Sequence, residues 1–165
     1  METKKAKLVI RLAKEKDINS IISLCKVVYP TLPPYTRPMI KGQLNAFPEG
    51  QFVAEYDGKI VGHCCTLMVD EELAFKKHTW NEITGSGFLA THDEAGTFLY
   101  GADIYVDPEI RGMRIGKRFY KARKDLCRSL KLKGIIFGAR IPGYGKRKSK
   151  FKSIEEYIEK VKAKT

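Results

Sequence analysis

Twelve consecutive residues carry the densest chemistry in this sequence: Val106-Asp107-Pro108-Glu109-Ile110-Arg111-Gly112-Met113-Arg114-Ile115-Gly116-Lys117. A β-branched strand runs into Asp-Pro. A basic turn with two glycines follows, and an amphipathic helix begins at about Ile115. Such a junction is an anion site. The first N–H groups of a helix have no partner inside it, the helix dipole favours negative charge there, and glycine lets a phosphate approach the backbone closely. Phosphate binding is therefore the chemistry expected of this turn. Nearby stand groups able to move a proton: Tyr100 on the strand that feeds the turn, His92 and Asp93 just ahead of that strand, and Glu82 in Asn81-Glu82-Ile83-Thr84-Gly85.

The chain that must position these groups is ordinary in make-up. Its 165 residues, 43% hydrophobic and 30% charged, predict one domain spanning 1–165 with a sizeable core. No apolar run approaches the roughly 18 residues that cross a bilayer, so no membrane partner is expected. Cysteines at 25, 64, 65 and 127 include no Cys-x-x-Cys pair, and Cys64 and Cys65 point to opposite faces of a strand. That pattern predicts free thiols in a reducing cytoplasm, with neither a disulfide framework nor a metal site. The net charge of +12 is uneven. Residues 61–110 hold two lysines against nine acids, whereas residues 111–133 hold ten Lys/Arg against Asp125 alone. Positive charge thus gathers just after the glycine turn, which suits a polyanionic ligand.

Periodicity predicts the elements. Leu8 to Leu12 reads as a strand, with Asp17 capping a helix from Ile18 to Tyr29. Pro30, Pro33 and Pro34 force a loop before a second helix from Arg37 to about Phe47. Gln51–Tyr56 and Ile60–Val69 form a hairpin around Asp57-Gly58-Lys59. Residues 70–96 read as irregular. Thr97–Val106 is a strand, Ile115–Leu132 an amphipathic helix, and Gly134–Ala139 a buried-type strand. Ser153 caps a last helix from Ile154. This order predicts an α/β or α+β fold with helices packed on a sheet.

Ala102-Asp103-Ile104-Tyr105-Val106-Asp107-Pro108-Glu109-Ile110-Arg111-Gly112 resembles the signature of the GNAT superfamily of acyl-CoA-dependent N-acyltransferases. In that pattern an apolar strand and Val-x-Pro-x-x-Arg-Gly precede a glycine loop that opens a helix. The resemblance implies acetyl-CoA as acyl donor. The backbone of Ile104, Tyr105 and Val106 would hold pantetheine, and the amides of Arg111, Gly112, Met113, Arg114, Ile115, Gly116 and Lys117 would hold the CoA pyrophosphate. Arg114 replaces a glycine of the loop; if φ is positive there, the replacement costs on the order of 1 kcal/mol. Trp80-Asn81-Glu82-Ile83-Thr84-Gly85, Thr91-His92-Asp93 and Gly138-Ala139-Arg140-Ile141-Pro142-Gly143-Tyr144 resemble the GNAT domain found ahead of carbon–nitrogen hydrolase (nitrilase-like) domains. That likeness implies a fused hydrolase domain in a longer parent. It also implies a mixed sheet here without the usual C-terminal helix and last two strands, as in a fragment or truncated form, with an open sheet edge where a homodimer could pair.

For acetyl transfer to a primary amine, on a small molecule or peptide, proton carriers are needed. The glutamate of polyamine-type relatives is replaced by Ala102. Tyr100, two residues earlier and on the face of Ala102, is the candidate to donate a proton or order a water; His92 is a candidate relay and Glu82 a substrate contact or remote base. Asp103 reads as facing the other way, in a structural role, and His63 and His78 as non-functional. Two other readings stand beside this one. The first is a CoA-binding sensor or targeting domain without turnover. The second is a nucleic-acid module built on the basic stretch 140–152 with Tyr144 and Phe151 interleaved.

Overall fold

Alternating side chains settle the sheet. The computed structural model describes residues 7–110, 112–139, 141 and 143–162. Five strands lie in chain order: β1 (Leu8–Leu12), β2 (Gln51–Tyr56), β3 (Lys59–Val69), β4 (Phe98–Val106) and β5 (Gly134–Phe137). The first four pair antiparallel, and β5 joins β4 in parallel. Asp57 and Gly58 close the β2–β3 hairpin with φ of 48° and 81°, the double positive φ that suits a two-residue turn to the twist of its strands. Helices α1 (Ile18–Val28) and α2 (Arg37–Ala46) cover one face, where Ile18, Ile21, Leu24 and Ile40 pack with Val53 and Tyr105. Helix α5 (Ile115–Ser129) covers the other, with Ile115 and Phe119 against Phe52, Ala54 and Cys64. This is the mixed sheet flanked by helices that the sequence predicts. Among the described residues no strand follows β5; α6 (Tyr144–Arg147) and α7 (Ile154–Lys162) come after it.

Three expectations change. Residues 70–96 contain α3 (Glu71–Phe75) and α4 (Trp80–Thr84), each too short to leave a periodic pattern. Asp70 accepts from the Leu73 N–H and Thr79 from the Glu82 N–H, so these helices are fixed by their caps. Strand β5 is not deeply buried: Gly134 to Ile136 are half-buried and Phe137 is 46% exposed. Asp17 stands at the N-cap position of α1, but its side chain makes no cap hydrogen bond. Its carboxylate instead accepts from Arg11 at 2.7 and 2.9 Å and from the Lys14 N–H at 2.8 Å. The Arg11 hydrogen bond holds the Asp17 carboxyl below the usual carboxylate range. Its stabilising effect is therefore complete above about pH 4 and is lost as the pH falls through the lowered native value. Asp17→Asn should cost about 1–3 kcal/mol at neutral pH, and melting curves of both proteins should converge as the pH is lowered toward 3.

One irregularity positions the site. On β3, Cys65 pairs with Asp103 and Thr66 with Gly101, so Ala102 is an extra residue and β4 carries a bulge there. Leu67 and Cys65 lie two apart and share a face. Their partners Tyr100 and Asp103 must therefore share it too. Strict alternation puts these side chains on opposite faces, and the bulge reverses that expectation.

Candidate functional site

Pairing of β4 with β5 covers only Phe98 to Gly101 against Gly134 to Phe137. Beyond Gly101, β4 continues to Val106 with no strand on that side among the described residues. At this parting lies a cavity of about 1020 Å³. Its walls include Tyr29 at the end of α1, Pro33 to Thr36 of the loop to α2, Trp80 of α4, the bulge from Tyr100 to Ile104, and Gly138. The three prolines that end α1 thus do more than break a helix: they bend the chain so that Tyr29 and Tyr35 face the bulge.

Asp103 is the acid of this cavity. It accepts hydrogen bonds from the Tyr29 hydroxyl at 3.2 Å, the Tyr35 hydroxyl at 3.0 Å and the Ile104 N–H at 2.8 Å. Burial raises its pKa despite these donors, and burial likewise raises that of Tyr35. The Trp80 ring lies 6.2 Å from that of Tyr35, and its N–H donates to the Ala102 carbonyl at 2.9 Å, tying α4 to the bulge. One carboxylate thus lies among electron-rich rings, a setting that favours a cation.

Arg123 of α5, 1% exposed, holds the bulge from the other side. Its guanidinium donates to the Asp103 carbonyl at 2.6 Å and the Cys65 carbonyl at 3.3 Å, the groups that the broken ladder leaves short of donors. Gly101 makes this possible, because a Cβ there would stand 2.9 Å from the guanidinium.

The sequence candidates divide. Tyr100 lines the cavity, and its hydroxyl lies 3.0 Å from His78 Nε2. His92 does not reach the cavity. Its Nδ1 accepts from the Met68 N–H at 3.0 Å and its ring stacks on Phe47 at 4.5 Å. Glu82 is also elsewhere, its carboxylate bound to the Thr79 N–H at 2.6 Å in the cap of α4, which lowers its pKa. His63 is fully buried, and burial pushes its pKa down to about 3. The Tyr29, Tyr35, Trp80, Asp103 and Arg123 cluster is absent from the sequence candidates. Its visible signal is Tyr29 and Tyr35 flanking a proline loop; the single tryptophan, Trp80, comes 45 residues further on.

The turn ahead of α5 has the geometry of an anion cradle. Gly112 has φ of 93° and Arg114 φ of 57°, so Arg114 sits in the left-handed region at the cost anticipated above. The first bond of α5 runs from the Arg118 N–H to the Arg114 carbonyl, so the N–H groups of Ile115, Gly116 and Lys117 lie ahead of the helical ladder. No atom lies within 4 Å of a Cβ built on Gly112 or Gly116, leaving the backbone bare. The side chains of Met113 and Ile115 turn inward onto the α5 face of the sheet. Arg111 lies outside the described residues. A groove along α5, lined by Lys117, Lys121, Lys124, Arg128 and the Asp125 that pairs with Lys121 and Arg128, shares Tyr120 with the cavity. Ile104 lines the cavity, Tyr105 is buried toward α1, and Val106 is half-buried toward α5.

The basic C-terminal stretch loses its stacking residues: the Tyr144 and Phe151 rings pack on Tyr157 at 5.5 and 5.1 Å. Among the described residues no helix is long and apolar enough to cross a membrane.

The profile of the acetyltransferase (GNAT) family matches residues 15–142. Two proteins of Bacillus subtilis (strain 168) are similar in sequence. The probable hydrolase YhcX is 44% identical over 155 residues, which cover 94% of this chain and 30% of YhcX. The uncharacterized N-acetyltransferase YkwB is 32% identical over 160 residues, 93% of this chain and 70% of YkwB. The chain thus spans less than a third of the length of YhcX. Among solved structures, the GphF GNAT-like decarboxylase in complex with isobutyryl-CoA superposes with a TM-score of 0.79 at 21% identity, over 92% of this chain and 75% of that one. At that identity the likeness is one of fold.

Proposed function

From the premise that this chain belongs to the acetyltransferase (GNAT) family, we propose that it transfers an acetyl group from acetyl-CoA directly to a cationic primary amine. The observation that carries this reading is the juxtaposition of two features that share Tyr120: a groove along α5 that starts at Lys117 of the cradle, and an aromatic cavity that holds Asp103. The amides of residues 112–117 would hold the CoA pyrophosphate, with the basic groove beside them. The exposed edge of β4 at Ile104 to Val106 would hold the pantetheine. Bare glycine backbone and unused helix N–H groups fit that ligand. At the cavity end, Asp103 draws in the ammonium form of the acceptor and takes its first proton, and Tyr29, Tyr35 and Trp80 surround the cation. Tyr100 is the residue that handles the second proton.

The reading is tested by incubating the protein with acetyl-CoA and a set of probe amines, 2-phenylethylamine and 1,4-diaminobutane among them. Release of free thiol matched by an acetylated amine supports it; binding of acetyl-CoA with no transfer to any amine overturns it in favour of a sensor. Asp103→Asn should raise KM for the amine at least about tenfold, equivalent to about 1.4 kcal/mol, while leaving the Kd for acetyl-CoA unchanged in calorimetry. The outer edge of β5, with Phe137 exposed, is the proposed pairing edge for a second copy or for a fused hydrolase domain.

A further inference from the structure

His78 carries no sequence signal, yet its ring is fixed at both nitrogens beside the cavity. Nδ1 lies 2.6 Å from the Lys76 carbonyl oxygen, which can only accept, so Nδ1 bears the proton. In the neutral ring Nε2 then has a free lone pair, and the Tyr100 hydroxyl 3.0 Å away must donate to it. Tyr100 thus directs its own proton to His78, and its oxygen keeps acceptor capacity. His78 is half-buried and lies in the loop between α3 and α4, so its far side has access to solvent.

We propose that His78 is the positioning residue of a two-way proton relay that acts through Tyr100 Oη. This rests on the acetyltransfer reading above. The amine lone pair forms the N–C bond at the thioester carbon. As the nitrogen becomes positive, its N–H proton passes to Tyr100 Oη while the Tyr100 proton passes to His78 Nε2. When the C–S bond breaks and its electron pair leaves on sulfur, the relay runs backward: His78 returns its proton to Tyr100, and Tyr100 gives one to the thiolate. One proton moves from nitrogen to sulfur, and the pair ends as it began. No second acid is needed, and the nitrogen and sulfur are within reach of one hydroxyl because both are bonded to the same carbon. The titratable groups near His78 are Glu82 of α4 and Tyr100 of β4, and Lys76 and Lys77 precede it in its own loop.

Two readouts test this. Nitrogen-15 NMR of the ligand-free protein should find His78 protonated at Nδ1, and Tyr100→Phe should move its Nε2 resonance. An Nε2-protonated ring, or a resonance indifferent to Tyr100→Phe, overturns the proposal whether or not any amine is acetylated. In turnover with 2-phenylethylamine, His78→Ala should lower kcat by about 100-fold or more, with the Kd for acetyl-CoA unchanged. Added imidazole should restore part of the rate. The double variant with Tyr100→Phe should be no slower than either single one, as for groups that act as a unit. A kcat for His78→Ala within twofold of wild type overturns the relay. Failure of the wild type to acetylate any probe amine overturns the acetyltransfer reading, while the ring nitrogens still decide whether the pair exists.

Discussion

Valine at both Gly112 and Gly116 should weaken acetyl-CoA binding by at least about 100-fold, equivalent to about 2.7 kcal/mol. The two positions fail for different reasons. Gly112 has φ of 93°, where a β-branched side chain is strained even in empty space. Gly116 lies in the first turn of α5 with nothing within 4 Å of its Cβ position, so the free protein has room for a side chain. Alanine there should leave stability unchanged or raise it by about 0.5–1 kcal/mol, since glycine is a poor helix residue. The Gly116→Val variant therefore separates ligand approach from folding: an unchanged melting temperature with lost affinity is the expected pair of results. Calorimetric binding of acetyl-CoA by Gly116→Val with wild-type affinity would remove the cradle from the account, even if the double variant fails to fold.

Arg123→Met should be the most damaging single change to stability. The long apolar side chain keeps the volume, but two buried carbonyls, of Cys65 and Asp103, lose a charged donor. Hydrogen bonds of that kind contribute about 1.5–3 kcal/mol each. Methionine also relieves the cost of the buried Nε, which has no partner, so the expected net loss is about 3 kcal/mol. For a chain of this size that corresponds to about 6–12 °C in Tm. A drop of less than about 2 °C, within the range of ordinary surface substitutions, would mean that the bulge does not depend on this guanidinium. Because the bulge aims both Tyr100 and Asp103, the same variant should also lose affinity for the amine.

The sheet and the cradle were legible in the sequence for local reasons. The Asp57-Gly58 hairpin, the run from Ile104 to Val106 and the glycine turn each declare themselves within about a dozen residues. The cavity around Asp103 was not, because it depends on one extra residue. Alternation alone sends Asp103 away from Tyr100, and only the pairing with β3 reveals that Ala102 is bulged. His78 was unreadable for a related reason: its partner is 22 residues away, across a segment whose short helices have no periodic pattern. A closer reading of caps would have found those helices, since Thr79-x-x-Glu82 is a reciprocal capping pair. His92 and Glu82 attracted functional readings through residue type, but His92 Nδ1 and Glu82 Oε2 each accept from a backbone N–H away from the cavity.

The central claim is that the turn ahead of α5 holds the phosphates of an acyl-CoA. Calorimetric titration of acetyl-CoA and free CoA into the protein at two salt concentrations tests it most directly. The account predicts micromolar binding of both, weaker at the higher salt because lysines line the groove beside the cradle. No heat of binding at either salt concentration, from a protein that melts cooperatively, would contradict it.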